Sequence, residues 1–224
     1  MSTCTRWLFI LSLPVLLFCG SVRWAVNEIH LYQYGFNKYN VSQVTGIEKT
    51  ELLRAARELI RYFNCADGEA RIKVTKDGKE LDLFSEREVI HIKDVKSLIQ
   101  LDYRLQRGAL AYLAVYLGVL AFWRRRHPWQ SLAWAVVWGS VITLAVMAVL
   151  GIGTLFNFEQ LFLQFHLFSF SNEYWILDPS KHYLIMMFPQ GFFYDAALFV
   201  SGAIAIEAFL IGGISGWLLL RGRR

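Results

Sequence analysis

The sequence has few of the charged residues that cover the surface of soluble domains. Only 18% of its 224 residues are charged, whereas 55% are hydrophobic and 16% are aromatic. The mean hydropathy is accordingly positive, at +0.36. A soluble domain of this length rarely has so apolar a composition, so the composition favours a membrane protein.

Cysteine is scarce, and the signatures of several enzyme classes are missing. The three cysteines, Cys4, Cys19 and Cys65, form no C-x-x-C pair, and their predicted positions leave Cys65 without a disulfide partner. No G-x-S-x-G motif supports a serine nucleophile, although Ser169 and Ser171 lie close to a histidine. No H-E-x-x-H or H-x-x-x-H pair is present either, so we expect no metal site.

Long apolar runs are the main feature that the sequence does contain. Crossing a bilayer takes roughly 20 apolar residues, and the runs 7–26, 131–153 and 196–220 meet that requirement. A fourth run, 108–123, is shorter, but the arginine side chains of the preceding residues 103–107 can extend along it towards the interface. We therefore predict four transmembrane helices.

The distribution of arginine predicts the orientation of these helices. Arg6, residues 124–126 and the arginines of the C-terminal tail fall on one side, which the positive-inside rule assigns to the cytoplasm. Segments 27–107 and 154–195 are then extracytoplasmic, whereas the turn 124–130 and the tail 221–224 are cytoplasmic. The first span is expected to remain as an anchor, because bulky Phe18 before Cys19 is unsuited to a lipoprotein cleavage site. A net charge of +5 from mixed charges suits an anionic lipid surface better than nucleic acid.

The predicted fold class is an all-α membrane protein, in which four transmembrane helices carry a small extracytoplasmic helical and hairpin domain. Residues 27–50 resemble a loop, and residues 51–64 have the apolar periodicity of a helix. Asp77-Gly78 predicts a hairpin turn. Ser85 followed by Glu88 is a capping box, so a helix should begin near Glu86 and continue into the second span.

The second extracytoplasmic segment, 154–195, is unusually aromatic. Thirteen of its 42 residues are aromatic, a content that a water-exposed loop would not carry. We expect this segment to lie in the outer membrane interface, where aromatic side chains accumulate.

Two of the five histidines have the surroundings expected of proton-transfer groups. His91 follows Arg87 and precedes Asp94 at helical spacing, and a carboxylate at that spacing can orient an imidazole and raise its basicity. His166 lies at helical spacing from Glu159 and Glu173. The alternative for each is a purely structural role. His91 would then be a surface histidine of a helix that pairs with Asp94, and His166 would be an amphipathic residue at the membrane interface. The remaining histidines lie in predicted loops or turns and are not expected to be catalytic: His30, His127 and His182.

Glu207 lies near the middle of the fourth predicted span, where a carboxyl group is costly. It is either functional or hydrogen bonded to a neighbouring span, with Ser140 and Thr143 as the candidate partners. Gly212 and Gly216 form a G-x-x-x-G motif, which predicts a close helix contact within the bundle.

Two stretches together resemble a known family. LFSEREVIHIKDVK and FHLFSFSNEYWILDPSKHYLIMMFPQGFF are similar to motifs of the bacterial integral membrane family of lipoprotein intramolecular transacylase, Lit. The resemblance implies an enzyme that moves the sn-2 acyl chain of a diacylglyceryl-cysteine to the α-amino group of that cysteine. The product would be a lyso-form lipoprotein, made at the extracytoplasmic face of the bacterial cytoplasmic membrane without a cofactor.

The resemblance also implies site residues. The motif histidines correspond to His91 and His166, which are the expected catalytic residues, and Asp94 is expected to assist them. The assisting role of Asp94 is our inference from its position in the motif, as is the expectation that Arg87, Asn172 and Trp175 of the same motifs contact the substrate. The implied partners are a diacylated bacterial lipoprotein and membrane lipid, with no nucleic acid.

Two other functional classes remain compatible with the residues. One is a membrane-anchored protein without catalytic activity, whose external domain binds or assembles a partner. The other is a metal-dependent lipid hydrolase that uses His91, His166 and Asp94 as ligands.

Overall fold

The computed structural model describes residues 3–66, 68–122 and 128–221. In chain order its elements are α1 (Thr3–Asn27), α2 (Ile29–Lys38), α3 (Val41–Thr45), α4 (Lys49–Asn64), β1 (Lys73–Lys76), β2 (Lys79–Asp82), α5 (Glu86–Phe122), α6 (Pro128–Ser169), α7 (Tyr183–Met187) and α8 (Gln190–Arg221). Four helices, α1, α5, α6 and α8, are long and apolar enough to cross a membrane. This confirms the predicted fold class.

Two of these helices are much longer than a membrane is thick. At 1.5 Å per residue, the 37 residues of α5 and the 42 residues of α6 extend about 55 Å and about 63 Å, against about 30 Å of hydrocarbon. The first turns of α5, up to Lys96, carry its densest charge, and the helical backbone of α6 is interrupted at Asn157. The stretches 86–101 and 158–169 therefore extend outside the membrane-spanning parts.

The chain forms two compact units, and the first is a helix bundle. It comprises Met1–Arg23, Asp102–Gly153 and Leu198–Arg224. Two clusters of buried apolar side chains form its core, one around Phe9 and Ala135 and one around Leu13 and Ile204. Nonpolar side chains of such a bundle can also face lipid. Close packing between the helices therefore contributes more to their association than hydrophobicity alone.

Glu207 and the two glycines of α8 lie in this bundle. A Cβ at Gly212 would lie 2.7 Å from the Cβ of Ser140, so the predicted close helix contact is confirmed at that glycine. The expected partner of Glu207 was wrong: its carboxylate accepts a long hydrogen bond from Ser21 Oγ of α1, at 3.5 Å. Thr143 Oγ1 instead donates to the carbonyl of Gly139 in its own helix, at 2.8 Å, an intrahelical bond that apolar surroundings favour.

The second unit comprises Trp24–Leu101 and Thr154–Ala197. The expected loop at 27–50 is wrong over most of its length, because this stretch forms α2 and α3. Its turn residues terminate short helices: Asn40 and Gly46 adopt left-handed backbone conformations at φ 51° and 67°. Tertiary burial of Tyr32, Phe36 and Val41 then stabilises helices that local sequence does not predict.

The remaining elements of the second unit follow the sequence closely. α4 buries the predicted apolar stripe, including Leu52, Ala56 and Leu59. β1 and β2 form an antiparallel hairpin whose turn residues, Asp77 and Gly78, have positive φ angles of 52° and 74°, as an Asp-Gly hairpin turn requires. The prediction of a hairpin at this position is therefore confirmed.

The predicted start of α5 is also confirmed, and one of the two hydrogen bonds of the predicted capping box forms, from the Ser85 N–H to the Glu88 carboxylate. The backbone N–H of Ser85 donates to Glu88 Oε2 at 2.8 Å, and the Ser85 hydroxyl donates to the same oxygen at 2.6 Å. α5 starts at Glu86 and continues without interruption to Phe122. This single helix fixes the position of His91 relative to the charged turn that precedes it.

Candidate active site

His91 lies on the buried side of α5, in the second unit. Its side chain is only 7% exposed. The ring nitrogen Nδ1 is buried and has no hydrogen-bond partner among the residues that the structure describes. A buried polar atom without a partner is uncommon and costs free energy, so this nitrogen marks a place where a ligand group would be stabilising.

His166 lies in α6, nine residues beyond the interruption at Asn157, and is 8% exposed. Its Nδ1 lies 2.8 Å from the carbonyl oxygen of Phe162. A carbonyl oxygen only accepts, so Nδ1 carries the hydrogen and donates it. The lone pair of the neutral ring is then on Nε2, because the hydrogen bond made by one ring nitrogen determines the role of the other.

The two imidazoles are neighbours. Their ring centroids are 6.1 Å apart and their planes are inclined by 31°. The two residues are separated by 75 positions in the sequence. The fold brings them together where α5 lies beside the 158–169 stretch of α6.

Aromatic rings enclose the pair. Phe170 contacts both histidines, with centroid distances of 5.0 Å to His91 and 5.6 Å to His166. Phe162 and Trp175 contact His166 at 4.4 Å and 5.0 Å. This enclosure surrounds the imidazoles with apolar surface.

Burial changes the acid–base properties of both rings. It lowers the pKa of His91 to about 4; a positive charge on His166 acts in the same direction, and the Asp94 carboxylate opposes it. Burial also lowers the pKa of His166, against the opposing hydrogen bond with the Phe162 carbonyl. Both imidazoles are therefore neutral near pH 7, and each keeps a free lone pair.

Asp94 forms a hydrogen bond with the loop that follows α6, and not with His91. Its Oδ2 accepts from Asn172 Nδ2 at 2.8 Å, and Asn172 Oδ1 accepts from the backbone N–H of Tyr174 at 3.0 Å. Asp94 thus acts on His91 through its charge, while Asn172 connects α5 to the segment that carries Trp175.

Arg87 contacts the same loop from the first turns of α5. Its guanidinium donates to the carbonyl oxygens of Glu173 and Ile176, the latter at 3.2 Å. It also lies over the Tyr174 ring, 5.6 Å from the centroid. The structure therefore brings all six predicted site residues into one region. Within it, the hydrogen bonds of Arg87 and Asn172 join them to other residues of the protein.

Residues that sequence reasoning had not assigned to the site complete its surroundings. Phe162 and Phe170 lie four residues before and after His166, a helical spacing that could have indicated them. Glu88 was interpreted as a helix cap alone, yet its carboxylate also accepts from the backbone N–H of Leu184 at 2.7 Å. No short-range sequence signal links Glu88 with Leu184.

The other histidines lie in different surroundings. The His30 side chain is exposed beside Glu28, and His182 Nδ1 accepts from the backbone N–H of Asp178 at 2.9 Å. His127 lies outside the described residues. Within the described ranges, no three His, Cys, Asp or Glu side chains form a group suited to a metal ion.

Comparison with known proteins gives this site its family context. The family model for the lipoprotein intramolecular transacylase Lit matches residues 7–193. The chain belongs to the Lit family. The family predicted from the two sequence motifs is thereby confirmed.

Relatives of this Lit-family chain extend over most of its length. An uncharacterised protein of Aquifex aeolicus (strain VF5) is 29% identical over 186 residues, which cover 80% of this chain and 78% of the relative. The crystal structure of the membrane-integral Lit from Bacillus cereus matches with a TM-score of 0.83 at 22% identity, covering 98% of this chain and 96% of the other.

Two further Bacillus cereus Lit structures, each with one histidine replaced, by arginine or by alanine, match with a TM-score of 0.77. At this level of identity the likeness establishes the fold of the chain. Together with its four long apolar helices, it identifies this Lit-family chain as a multi-pass membrane protein.

Proposed function

We propose that this chain is a lipoprotein intramolecular transacylase, which moves the sn-2 acyl chain of a diacylglyceryl-cysteine to the α-amino group of the same cysteine. The substrate is a diacylated bacterial lipoprotein within the membrane, and the product is a lyso-form lipoprotein. Membership of the Lit family supports the reaction class. The observation that carries the proposal is the pair of neutral, buried imidazoles 6.1 Å apart inside an aromatic enclosure.

The reaction requires proton transfer at two stages. An α-amino group has a pKa near 8 and is largely protonated at neutral pH, so a base must remove a proton before nitrogen attacks the ester carbonyl. Attack forms a C–N bond and a tetrahedral oxyanion. Collapse then breaks the bond between the acyl carbon and the glycerol oxygen, and that oxygen needs a proton. Starting from the ammonium form, the nitrogen loses two protons in all: one reaches the glycerol oxygen, and the other is released to solvent as the amide forms, so that no external reagent is consumed.

The two histidines are suited to different parts of this sequence. In our proposal, His166 Nε2 accepts the proton from the ammonium group and later returns it to the glycerol oxygen, because His166 Nδ1 is already committed to Phe162. His91, whose low pKa keeps it neutral, donates an N–H hydrogen bond to the carbonyl oxygen as negative charge develops. A neutral imidazole is a known electrophilic catalyst in buried sites.

The intramolecular character of the reaction assigns a further role to the enclosure. Acyl donor and acceptor belong to one molecule, so a site that holds them together removes most of the entropic barrier. Exclusion of water by Phe162, Phe170 and Trp175 also protects the ester from hydrolysis. We propose no metal or cofactor, since conversion of an ester to an amide is favourable without an external energy source.

The site is proposed to face the extracytoplasmic side. Arg6 near the start of α1 and Arg221 at the end of α8 are on the side that the positive-inside rule assigns to the cytoplasm. His91 and His166 belong to the opposite ends of their helices, where a lipoprotein anchored in the outer leaflet would present its modified cysteine.

The test is conversion of a purified diacylated lipopeptide by the purified chain in detergent. Mass spectrometry should detect a product of unchanged mass, in which one acyl chain has moved to the amino terminus. Conversion should persist in the presence of a strong chelator and should be retained by His30→Gln, which replaces an exposed histidine. Release of free fatty acid without N-acylation would instead indicate a hydrolase, and binding without any conversion would indicate a non-catalytic protein.

A further inference from the structure

Glu88 is the most deeply buried charged side chain in the described part of the chain, with 1% exposure. Burial of a carboxylate is costly unless its oxygens are hydrogen bonded. Three donors satisfy it here. The Ser85 N–H and hydroxyl donate to Oε2, at 2.8 Å and 2.6 Å, and the Leu184 N–H donates to Oε1, at 2.7 Å.

This arrangement joins the beginnings of two helices through one carboxylate. Ser85 precedes the first residue of α5, and Leu184 is the second residue of α7. His182, the residue in the capping position of α7, makes no side-chain cap. Glu88 therefore supplies to α7 a cap that its own sequence lacks, while it also caps α5.

The chain between His166 and the beginning of α7 contacts α5 at several points. Three side chains of α5 hold that segment: Asp94 binds Asn172, Arg87 binds the carbonyls of Glu173 and Ile176, and Glu88 binds Leu184. Asp94 and Arg87 are partly exposed, whereas Glu88 is buried. Trp175 lies inside the held segment, with its ring 5.0 Å from His166.

We propose that Glu88 is a positioning residue for the transacylation, one that keeps Trp175 against His166 by joining α5 to α7. The inference rests on the proposed function. Glu88 itself lies away from the reacting atoms and acts through the segment that it fixes. His91, one turn further along α5, shares the helix whose first turn Glu88 orders.

The hydrogen-bond pattern requires a carboxylate at this position. All three partners are donors, and a carboxylate has acceptors alone. Glutamine has the same shape, but its amide NH₂ group must face either Leu184 N–H or the two donors of Ser85. One of the two helix beginnings then loses its acceptor, so Glu88→Gln should loosen the joint without leaving a cavity.

The test compares Glu88→Gln with Ser85→Ala in steady-state conversion of the diacylated lipopeptide. Glu88→Gln should lower kcat by about 10- to 100-fold, the scale on which small displacements in an active site act, with KM nearly unchanged. Ser85→Ala removes one donor to Glu88 but leaves the bonds to the Ser85 and Leu184 N–H groups, so its kcat should fall much less than that of Glu88→Gln. Circular dichroism melting of both variants checks that they are folded at the assay temperature.

A pH profile separates positioning from loss of charge. Removal of a nearby negative charge lowers the pKa of a histidine, whereas entry of water at His166 raises it towards the ordinary value. Among the residues that the structure describes, His91 neighbours this ring, and Asp94 acts on His91 from beyond it. If Glu88→Gln loosens Trp175, the acidic limb of kcat/KM should move to higher pH.

Each outcome has a defined meaning. Conversion by the unsubstituted protein establishes the proposed function independently of the variants. An unchanged kcat in folded Glu88→Gln, or equal losses of kcat in Glu88→Gln and Ser85→Ala, would overturn the positioning role, as would an acidic limb shifted to lower pH.

Discussion

The two imidazoles of the candidate site differ in what their ring nitrogens already bind. His166 Nδ1 is committed to a carbonyl in its own helix, whereas His91 Nδ1 has no described partner. The first arrangement fixes one tautomer, and the second leaves both tautomers accessible until a substrate group binds. A base with a fixed lone pair and a neutral donor that adapts to the oxyanion are the two groups that acyl transfer needs.

Replacement of either histidine should therefore be severe. Glutamine keeps much of the size and polarity of histidine but transfers no proton, and general acid–base catalysis contributes about 10²- to 10⁴-fold. His166→Gln should lose conversion on that scale, and His91→Ala, which removes the proposed donor to the oxyanion, should lose about 10²- to 10³-fold. Both variants should accumulate normally in the membrane. The assay is the fraction of N-acylated lyso-form peptide formed from the diacylated lipopeptide, with His30→Gln as the matched control.

The double variant tests whether the two histidines act as one unit. If they do, the loss of kcat in His91→Ala/His166→Gln should fall well short of the product of the two single losses, because residues that act together are non-additive. A fully multiplicative loss would show that the two rings contribute independently. Near-normal conversion by either folded single variant would move the catalytic role to other residues.

Asp94 should influence the site through its charge. Its carboxylate favours protonated His91 and so partly offsets the burial that lowers the pKa of that ring to about 4. Asp94→Asn keeps the shape and an oxygen acceptor for Asn172, but it removes the charge. The pKa of His91 should then fall further. In the variant, the groups that face His91 are His166, which also lowers this pKa, and the asparagine amide, which is uncharged and no longer raises it. NMR titration of labelled histidine, assigned with His91→Gln, measures this shift.

A suitable control for that titration is Asp82→Asn, which removes an exposed carboxylate at the end of β2 and should leave the His91 midpoint in place. An upward shift of the midpoint in Asp94→Asn would contradict the electrostatic account. It would indicate instead that loss of the Asn172 contact admits water to the ring.

At the residue scale, the sequence predicted the groups whose chemistry is unusual for their position. His91 and His166 stood out by their acidic neighbours at helical spacing, and the resemblance to the Lit family implied their role; the structure brings the two rings together. Glu88 did not stand out, because its partner Leu184 lies 96 residues away and contributes a backbone N–H, which any residue type would supply. The buried state of both imidazoles was also unpredictable, since it depends on contacts between α5 and α6 that local periodicity does not encode.

Among the elements, α8 offers a matched pair of sites for testing how tightly the helix bundle packs. A Cβ at Gly212 would lie 2.7 Å from Ser140 Cβ, whereas a Cβ at Gly216 would lie 4.0 Å from Val137. Gly212→Ala should therefore destabilise the bundle by about 1–3 kcal/mol, as overpacking does, and Gly216→Ala should be nearly neutral. Thermal melting in detergent, followed by a solubility assay, measures both variants.

The two alanine variants have the same helix propensity, so a difference between them reports packing alone. Equal melting temperatures would show that α8 can move away from α6 at little cost. Equal destabilisation of both variants would show that this face of α8 tolerates no side chain at either position. That result would contradict the distances, which leave room for a methyl group at Gly216 but not at Gly212.

The elements that the sequence predicted best are those with local signals that agree with their environment. α5 has a capping box at its start, and the hairpin has an Asp-Gly turn, so both were predictable. α2 and α3 were missed because Asn40 and Gly46 are loop-forming residues, while the burial that stabilises these helices comes from distant parts of the chain. Asn157 interrupts α6 close to the predicted boundary between the span 131–153 and the segment 154–195, although the sequence did not indicate that helix would continue on both sides of it.

For the whole molecule, orientation in the membrane is the property on which the proposed substrate depends. A lipoprotein presents its modified cysteine outside the cytoplasm, so the second unit must face that side. The prediction rests on the positive-inside rule, and residues 124–126, which contribute strongly to it, lie outside the described ranges. An independent measurement of the orientation is therefore valuable.

Accessibility of single cysteines in intact cells provides that measurement. Lys79 is exposed in the hairpin of the second unit, and Trp129 is 73% exposed in the first turn of α6, at the predicted cytoplasmic end. In a background with Cys4, Cys19 and Cys65 replaced, Lys79→Cys should react with an impermeant thiol reagent before lysis, and Trp129→Cys after lysis alone. Lys79 is preferable to Gly78, where a positive φ of 74° disfavours any side chain. Labelling in the reverse order would place His91 and His166 in the cytoplasm, out of reach of a mature lipoprotein, and would exclude the proposed reaction even if both imidazoles proved essential.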